Sequence, residues 1–381
     1  MDETTKSIPL SCPDITDLER KAVIEVLDTR HLSLGPKVTE FEAKFADYIG
    51  TQHAVAVNSG TSGLHLCVKA LGLTEGDEVI TTPFSFVASA NCLLYERAVP
   101  KFVDIDPLTL NLDVRQIESR ITNKTKAILP VHVFGQPCDM DGILQIAKRY
   151  NLRIIEDACE AIGAVYKGKK TGAIGDCGVF AFYPNKQMTT GEGGIIVTDD
   201  ENIAVLCRNL RNQGRSPGEQ WLVHELLGYN YRLSDILCAL GIAQLQRIEN
   251  LLTKRAIVAG IYNHHLKNVQ GITSPDHQTD GTARSWFVYV VLLDKSFNRK
   301  QRDQILQSLQ RRNIGCSNYF PPVHLQPFYR TNFGYKEHDF PVTEGVSERT
   351  IALPFYGNLK KDEILFVVEE FINALDKVRD A

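Results

Sequence analysis

The chain has 381 residues, 43% hydrophobic and 23% charged, enough to bury one large core and a smaller second one. Its 42 basic and 46 acidic residues give a net charge of −4 without a Lys/Arg-rich block, which argues against a nucleic-acid partner. No run of about 18 apolar residues is available to span a membrane, the opening MDETTKSIPL is too polar and acidic for a secretory leader, and nine singly scattered cysteines without C-x-x-C read as reduced, buried thiols of a cytoplasmic protein, with no metal centre.

In chain order, short apolar runs alternate with amphipathic stretches through the first 200 residues. HAVAVN (53–58) reads as a strand and TSGLHLCVKALGL (61–73) as the helix after it. EVITTP (78–83) and SFVASANCLLYER (85–97) repeat the pair, and PKFVDID (100–106), KAILPVHVFG (126–135) and LRIIEDA (152–158) add strands, with a helix over MDGILQIAKRYN (140–151) before the last. This alternation implies right-handed crossovers and a mostly parallel sheet, and strands apolar throughout imply a sheet covered on both faces. GVFAFY and GGIIVTD follow with no helix between them, which predicts a hairpin-like return. Beyond them the pattern is helical without interruption from Leu233 to Leu266, the length of a helix that bridges two domains. SWFVYVVLL (285–293) then alternates as a strand, and 360–378 forms a terminal helix. These features place a large sheet domain at 1–250 and a smaller α+β domain at 251–381.

Between the two runs of the hairpin-like return stands Lys186, in YPNKQMTTGEGG. A buried ammonium without a partner is costly, so the lysine calls for one. Asp157 ends the run RIIED, at the carboxyl end of a strand, where open α/β sheets bind ligands. NSGTSG (58–63) joins a strand to a helix start, where small residues and free N–H groups suit a phosphate. FSF (84–86) offers aromatic rings that can stack on a flat ligand. Each feature alone also fits ordinary structure: a strand-end lysine, a helix cap, a turn, core aromatics. Together they match what pyridoxal phosphate requires, with a lysine for its aldehyde and a carboxylate for its ring nitrogen.

The sequence resembles the pyridoxal-phosphate-dependent sugar aminotransferases of the DegT/DnrJ/StrS type over nearly its whole length. The resemblance is carried by LGPKVTEFEAKFADYIG, AVAVNSGTSGLHL, GDEVITTPFSFVASAN, VHVFGQPCDMD, IIEDACEAIGAVYKGKKTGAIGD, YPNKQMTTGEGG, LLGYNYRLSDILCALGIAQL and YFPPVHLQPFY. It implies an aspartate-aminotransferase-like fold (fold type I), a homodimer with shared active sites, and transfer of an amino group from L-glutamate to a nucleotide-linked keto sugar. Position by position, it implies Lys186 as the Schiff-base lysine and Asp157 as the partner of the pyridine nitrogen. Gly60 and Thr61 fall in the phosphate loop, and Phe86 aligns with the stacking aromatic, with Phe84 as a rival. Asn230 matches the residue that reaches the phosphate from the other subunit, and His324 lies in a segment associated with the sugar nucleotide.

Two positions depart from the family pattern. Ala181 stands where a serine usually contacts the phosphate, and Glu160 stands where many members carry glutamine near the cofactor's ring oxygen. A carboxylate there would repel a phenolate, so Glu160 is expected to share a proton or to shift the ring-oxygen charge. The form of the segment after Lys186 is similar to members that aminate carbon 4, which implies a 4-keto-6-deoxy sugar. Two alternatives are a sugar dehydratase or deoxygenase, whose relatives carry histidine in place of the lysine, and a non-catalytic regulator that keeps the cofactor pocket.

Overall fold

Seven strands build the main sheet: β1 (His53–Val57), β2 (Glu78–Thr81), β3 (Val99–Phe102), β4 (Thr125–Ile128), β5 (Arg153–Asp157), β6 (Cys177–Ala181) and β7 (Gly194–Thr198). Their spatial order is β1-β7-β6-β5-β4-β2-β3. All neighbours run parallel except β7, which is antiparallel to both β1 and β6. The hairpin-like return is therefore present as β6–β7, and its connection carries Lys186. The structure, a computed structural model, describes residues 7–215, 223–275 and 281–379.

Six of the helices position the sheet and its ends: α1 (Asp17–Leu27), α2 (Pro36–Ile49), α3 (Gly60–Ala70), α4 (Ala88–Leu94), α5 (Met140–Tyr150) and α6 (Glu201–Arg211). Thr16 starts α1 with a capping box, its side chain and that of Glu19 satisfying each other's backbone N–H groups. Proline at the first position opens α2, and Gly50 closes it in the left-handed region at φ 90°. Successive strand residues face opposite layers. Val55, Val57 and Ile196 share a buried cluster with Leu64 and Val68 of α3, whereas Ala56, Ile195 and Val197 share one with Phe41 and Phe45 of α2. Both faces are thus dry, and this explains why the strands are apolar nearly throughout.

The long helix expected from Leu233 to Leu266 is two helices, α7 (Asp235–Gln246) and α8 (Ile248–Leu266). The chain bends at Arg247, with φ −116° and ψ 19°. Its guanidinium is held by Asp14 at 2.6 Å and by Glu19 at 3.4 Å, ion pairs whose partners lie far away in sequence. Ile248 and Leu251 of α8 belong to the same cluster as α2, while Val258, Tyr262 and Leu266 belong to a second core.

That second core lies around a three-stranded antiparallel sheet, β8 (Ile272–Thr273), β9 (Tyr289–Leu293) and β10 (Thr350–Leu353), with α9 (Arg299–Arg311) and α10 (Lys361–Arg379). Ile8, from the start of the chain, is part of it. Conversely, Val323, Tyr329 and Phe340 pack with Ala90 and Phe102 against the main sheet unit. Among the described residues, no helix is long and apolar enough to cross a membrane.

Candidate active site

Parallel strands β4, β5 and β6 bring their carboxyl ends together, and β5 delivers Asp157 there at its last residue. The side chain is buried. Its Oδ2 accepts the Ser89 hydroxyl at 2.7 Å, and its Oδ1 accepts the Cys159 N–H at 3.1 Å. Lys186 follows β6 on the β6–β7 connection, where its N–H donates to the Tyr183 carbonyl at 2.9 Å. Its Nζ lies 3.8 Å from Glu160 Oε1 and 4.0 Å above the centroid of the Phe287 ring.

Glu160 is buried as well, and its Oε2 accepts the Phe134 N–H at 2.9 Å. Burial pushes its carboxyl above the ordinary range, against the pull of Lys186 and of the Phe134 N–H. The lysine loop is tied down from two sides. Gln187 Nε2 donates to the Glu160 carbonyl at 2.6 Å, and Arg255 of α8 donates to the Lys186 carbonyl at 2.8 Å and to the Phe287 carbonyl at 3.0 Å. Desolvation lowers the Arg255 pKa to about 10, so this buried guanidinium still carries charge at neutral pH.

Gly60 and Thr61 are the first residues of α3, capped by Ser59, whose Oγ accepts the Ser62 N–H at 3.1 Å. The first N–H groups of a helix lack intrahelical acceptors and attract anions. A side chain at position 60 would not fit. A Cβ there would come within 2.8 Å of Ala181 Cβ and 2.9 Å of Cys159 Sγ, so the glycine is required by close approach of β6. The same contact puts the Ala181 methyl directly beside this helix start.

Of the two candidate stacking rings, Phe84 is fully buried, edge-on to Phe134 and Phe320. Phe86 is 63% exposed and borders a cleft of about 830 Å³, together with Ser85, Val87, Phe320, Phe328 and Tyr329. An exposed aromatic plate, a helix start that tolerates no Cβ, a buried carboxylate and a lysine amine form a donor set that fits pyridoxal phosphate. Asn230 is exposed, and its carbonyl accepts Asn58 Nδ2 at 3.4 Å, one residue before the Ser59 cap.

His324 is not part of this group. Its segment borders the cleft through Val323 and Gln326, but the imidazole itself is completely buried. Nε2 lies 3.1 Å from Glu344 Oε1, and the ring packs edge-on against Phe340. The sequence resemblance implies that this segment serves the sugar nucleotide; in the structure the imidazole lies between Glu344 and Phe340. Its Nδ1 is buried without a hydrogen-bond partner among the described residues. Sequence reading missed Ser89, Phe287 and Arg255, which are distant in sequence from the groups they hold.

The sequence profile described as the DegT/DnrJ/EryC1/StrS aminotransferase family matches residues 13–372. GDP-perosamine synthase of Caulobacter vibrioides is 41% identical over 373 residues, 97% of this chain and 98% of its own. Among solved structures, Helicobacter pylori PseC, an aminotransferase involved in the biosynthesis of pseudoaminic acid, superposes with a TM-score of 0.94. It is 28% identical, over 98% of this chain and 100% of PseC. Spr1654 of Streptococcus pneumoniae in its PLP form superposes with a TM-score of 0.93. It is 29% identical, again over 98% of this chain and 100% of its own.

Proposed function

Because the chain belongs to the DegT/DnrJ/EryC1/StrS aminotransferase family and is a pyridoxal-phosphate-dependent sugar aminotransferase, we propose that it transfers an amino group from L-glutamate to carbon 4 of a nucleotide-linked 4-keto-6-deoxy sugar. The observation that carries this reading is the placement of the Lys186 amine beside Glu160, at the strand ends where Asp157 lies and α3 begins. The choice of carbon 4 rests on the segment after Lys186 and on likeness to a GDP-perosamine synthase.

When bound, the cofactor supplies an aldehyde that captures amines and a ring that stores an electron pair. The chain's own residues do the rest. Lys186 is the amine that would anchor the cofactor and the base that would carry the substrate proton. Glu160 and the Phe287 ring hold that amine in place. Asp157 would hold the ring nitrogen, and the α3 start with Gly60 and Thr61 would take the phosphate. Phe86, exposed at the cleft, would stack on the ring. The apolar cleft beyond Phe86 leaves room for the nucleotide-linked sugar.

The protein acts as a homodimer in this reading, with Asn230 of each chain completing the phosphate site of the other. Its exposed position on the strap ahead of α7 supports this role. The test is a purified sample offered L-glutamate. The visible absorbance of the bound cofactor should disappear as 2-oxoglutarate is released, and a nucleotide-linked 4-keto-6-deoxy sugar should restore it. Restoration only by 3-keto sugars would overturn the carbon-4 assignment.

A further inference from the structure

Ser89, which secures Asp157, is itself secured. Its Oγ lies 2.8 Å from Ser85 Oγ, and Ser85, Ser89 and Asp157 are all at most 5% exposed. A hydroxyl carries one hydrogen and two lone pairs, whereas an ionised carboxylate only accepts. The Ser89 hydrogen is therefore committed to Asp157 at 2.7 Å, and the hydrogen between the two serines must come from Ser85. The direction of the chain is fixed: Ser85 donates to Ser89, and Ser89 donates to Asp157. Ser85 borders the cleft beside Phe86. With its hydrogen turned inward, it presents only lone pairs to whatever enters.

We propose that Ser89 is a positioning residue, and that the Ser85–Ser89 hydroxyl chain aims the Asp157 carboxylate at the ring nitrogen of the cofactor. The proposal rests on the reading of Asp157 given above. Each carboxylate oxygen already has one donor, from Ser89 and from the Cys159 N–H, and these fix the plane of the group. Hydrogen bonds to an ionised acceptor are about twice as strong as neutral ones, so this clamp is firm. The remaining lone pairs keep their direction when substrates come and go.

The test uses the full-length protein loaded with pyridoxal phosphate labelled with ¹⁵N in its ring, without amino donor, and reads the nitrogen resonance by NMR. In Ser89→Ala the resonance should move toward that of an unprotonated pyridine. The rate of the glutamate half-reaction should fall about tenfold, the loss expected for one charge-assisted hydrogen bond. Ser89→Thr, which keeps the hydroxyl, should restore both. Ser85→Ala should move the resonance less, in the same direction. If Ser89→Ala fails to fold, Ser89→Cys, a weaker donor of similar size, should produce the same shift in smaller amount. An unmoved resonance in cofactor-loaded Ser89→Ala or Ser89→Cys, or no rescue by threonine, would overturn the proposal. The control is Asp157→Asn, which should move the resonance furthest. If that variant leaves it unmoved, or the wild-type protein binds no cofactor, the reading of the site itself is overturned.

Discussion

Phe287 and Glu160 bracket the amine of Lys186, one with a ring face at 4.0 Å and one with a carboxylate at 3.8 Å. Neither contact replaces the amine itself. Lys186→Ala should bind pyridoxal phosphate without a covalent link and lose transamination; borohydride reduction and peptide mapping of the wild type should find label on Lys186, and label on another lysine would refute the assignment. Asp157→Asn keeps size and most hydrogen bonding but cannot balance a protonated ring nitrogen. It should fold normally and lose turnover by about a thousandfold, roughly 4 kcal/mol of barrier, measured as kcat. Glu160→Gln should keep activity within about tenfold, some 1.4 kcal/mol. Burial pushes the Glu160 carboxyl up, and above that raised value it is a negative charge beside the lysine. With the charge removed, the bound cofactor should deprotonate more readily, and its visible absorbance should titrate at lower pH than in the wild type.

At the scale of elements, α3 is clasped to the strap that carries Asn230. His65 on α3 places Nε2 2.9 Å from Glu96 Oε1 and Nδ1 3.2 Å from the Tyr231 hydroxyl. Tyr229 donates to the same Glu96 oxygen at 2.9 Å, Lys69 reaches Glu96 Oε2 at 3.0 Å, and the Tyr95 ring closes the group edge-on. Burial depresses the His65 pKa below its ordinary 6.5, and Glu96 opposes this. A depressed folded-state value means that the unfolded chain binds the proton more readily. The stability contributed is therefore present above 6.5 and is lost as pH falls through the folded value. Thermal melts from neutral to mildly acid pH should show Tm dropping, and His65→Gln should flatten the drop. Part should remain, because burial also depresses His324. An equal slope in wild type and variant would exclude His65 as the source. The α3 start, Lys186 and Asp157 were legible in sequence because strands, turns and helix starts are written in neighbouring residues. The clasp, the Ser89–Asp157 bond across 68 positions and the Arg255–Lys186 bond across 69 were not, since nothing local marks them. The helix break at Arg247 was hidden for the same reason: apolar spacing continues through it while distant carboxylates hold the bend.

In the whole molecule, the two cores are interleaved in sequence. Ile8 joins the second core and Tyr329 the satellite of the first, so a single cut near residue 250 would separate parts that pack together. Composition and periodicity could suggest two units but could not show these exchanges of chain. If the sites are shared between subunits, mixing Lys186→Ala with Asn230→Ala should regenerate one intact site in each hybrid dimer and recover part of the wild-type activity. No recovery despite demonstrated subunit exchange would place each site within one chain. The helix joining the units bears on this whole architecture. The first turns of α8 are embedded in one core and its last turns in the other, while Arg255, near its middle, holds the carbonyls of Lys186 and Phe287. The backbone of Lys186 is thus fastened to a helix that both cores share, so its anchorage is built from the packing of the two together.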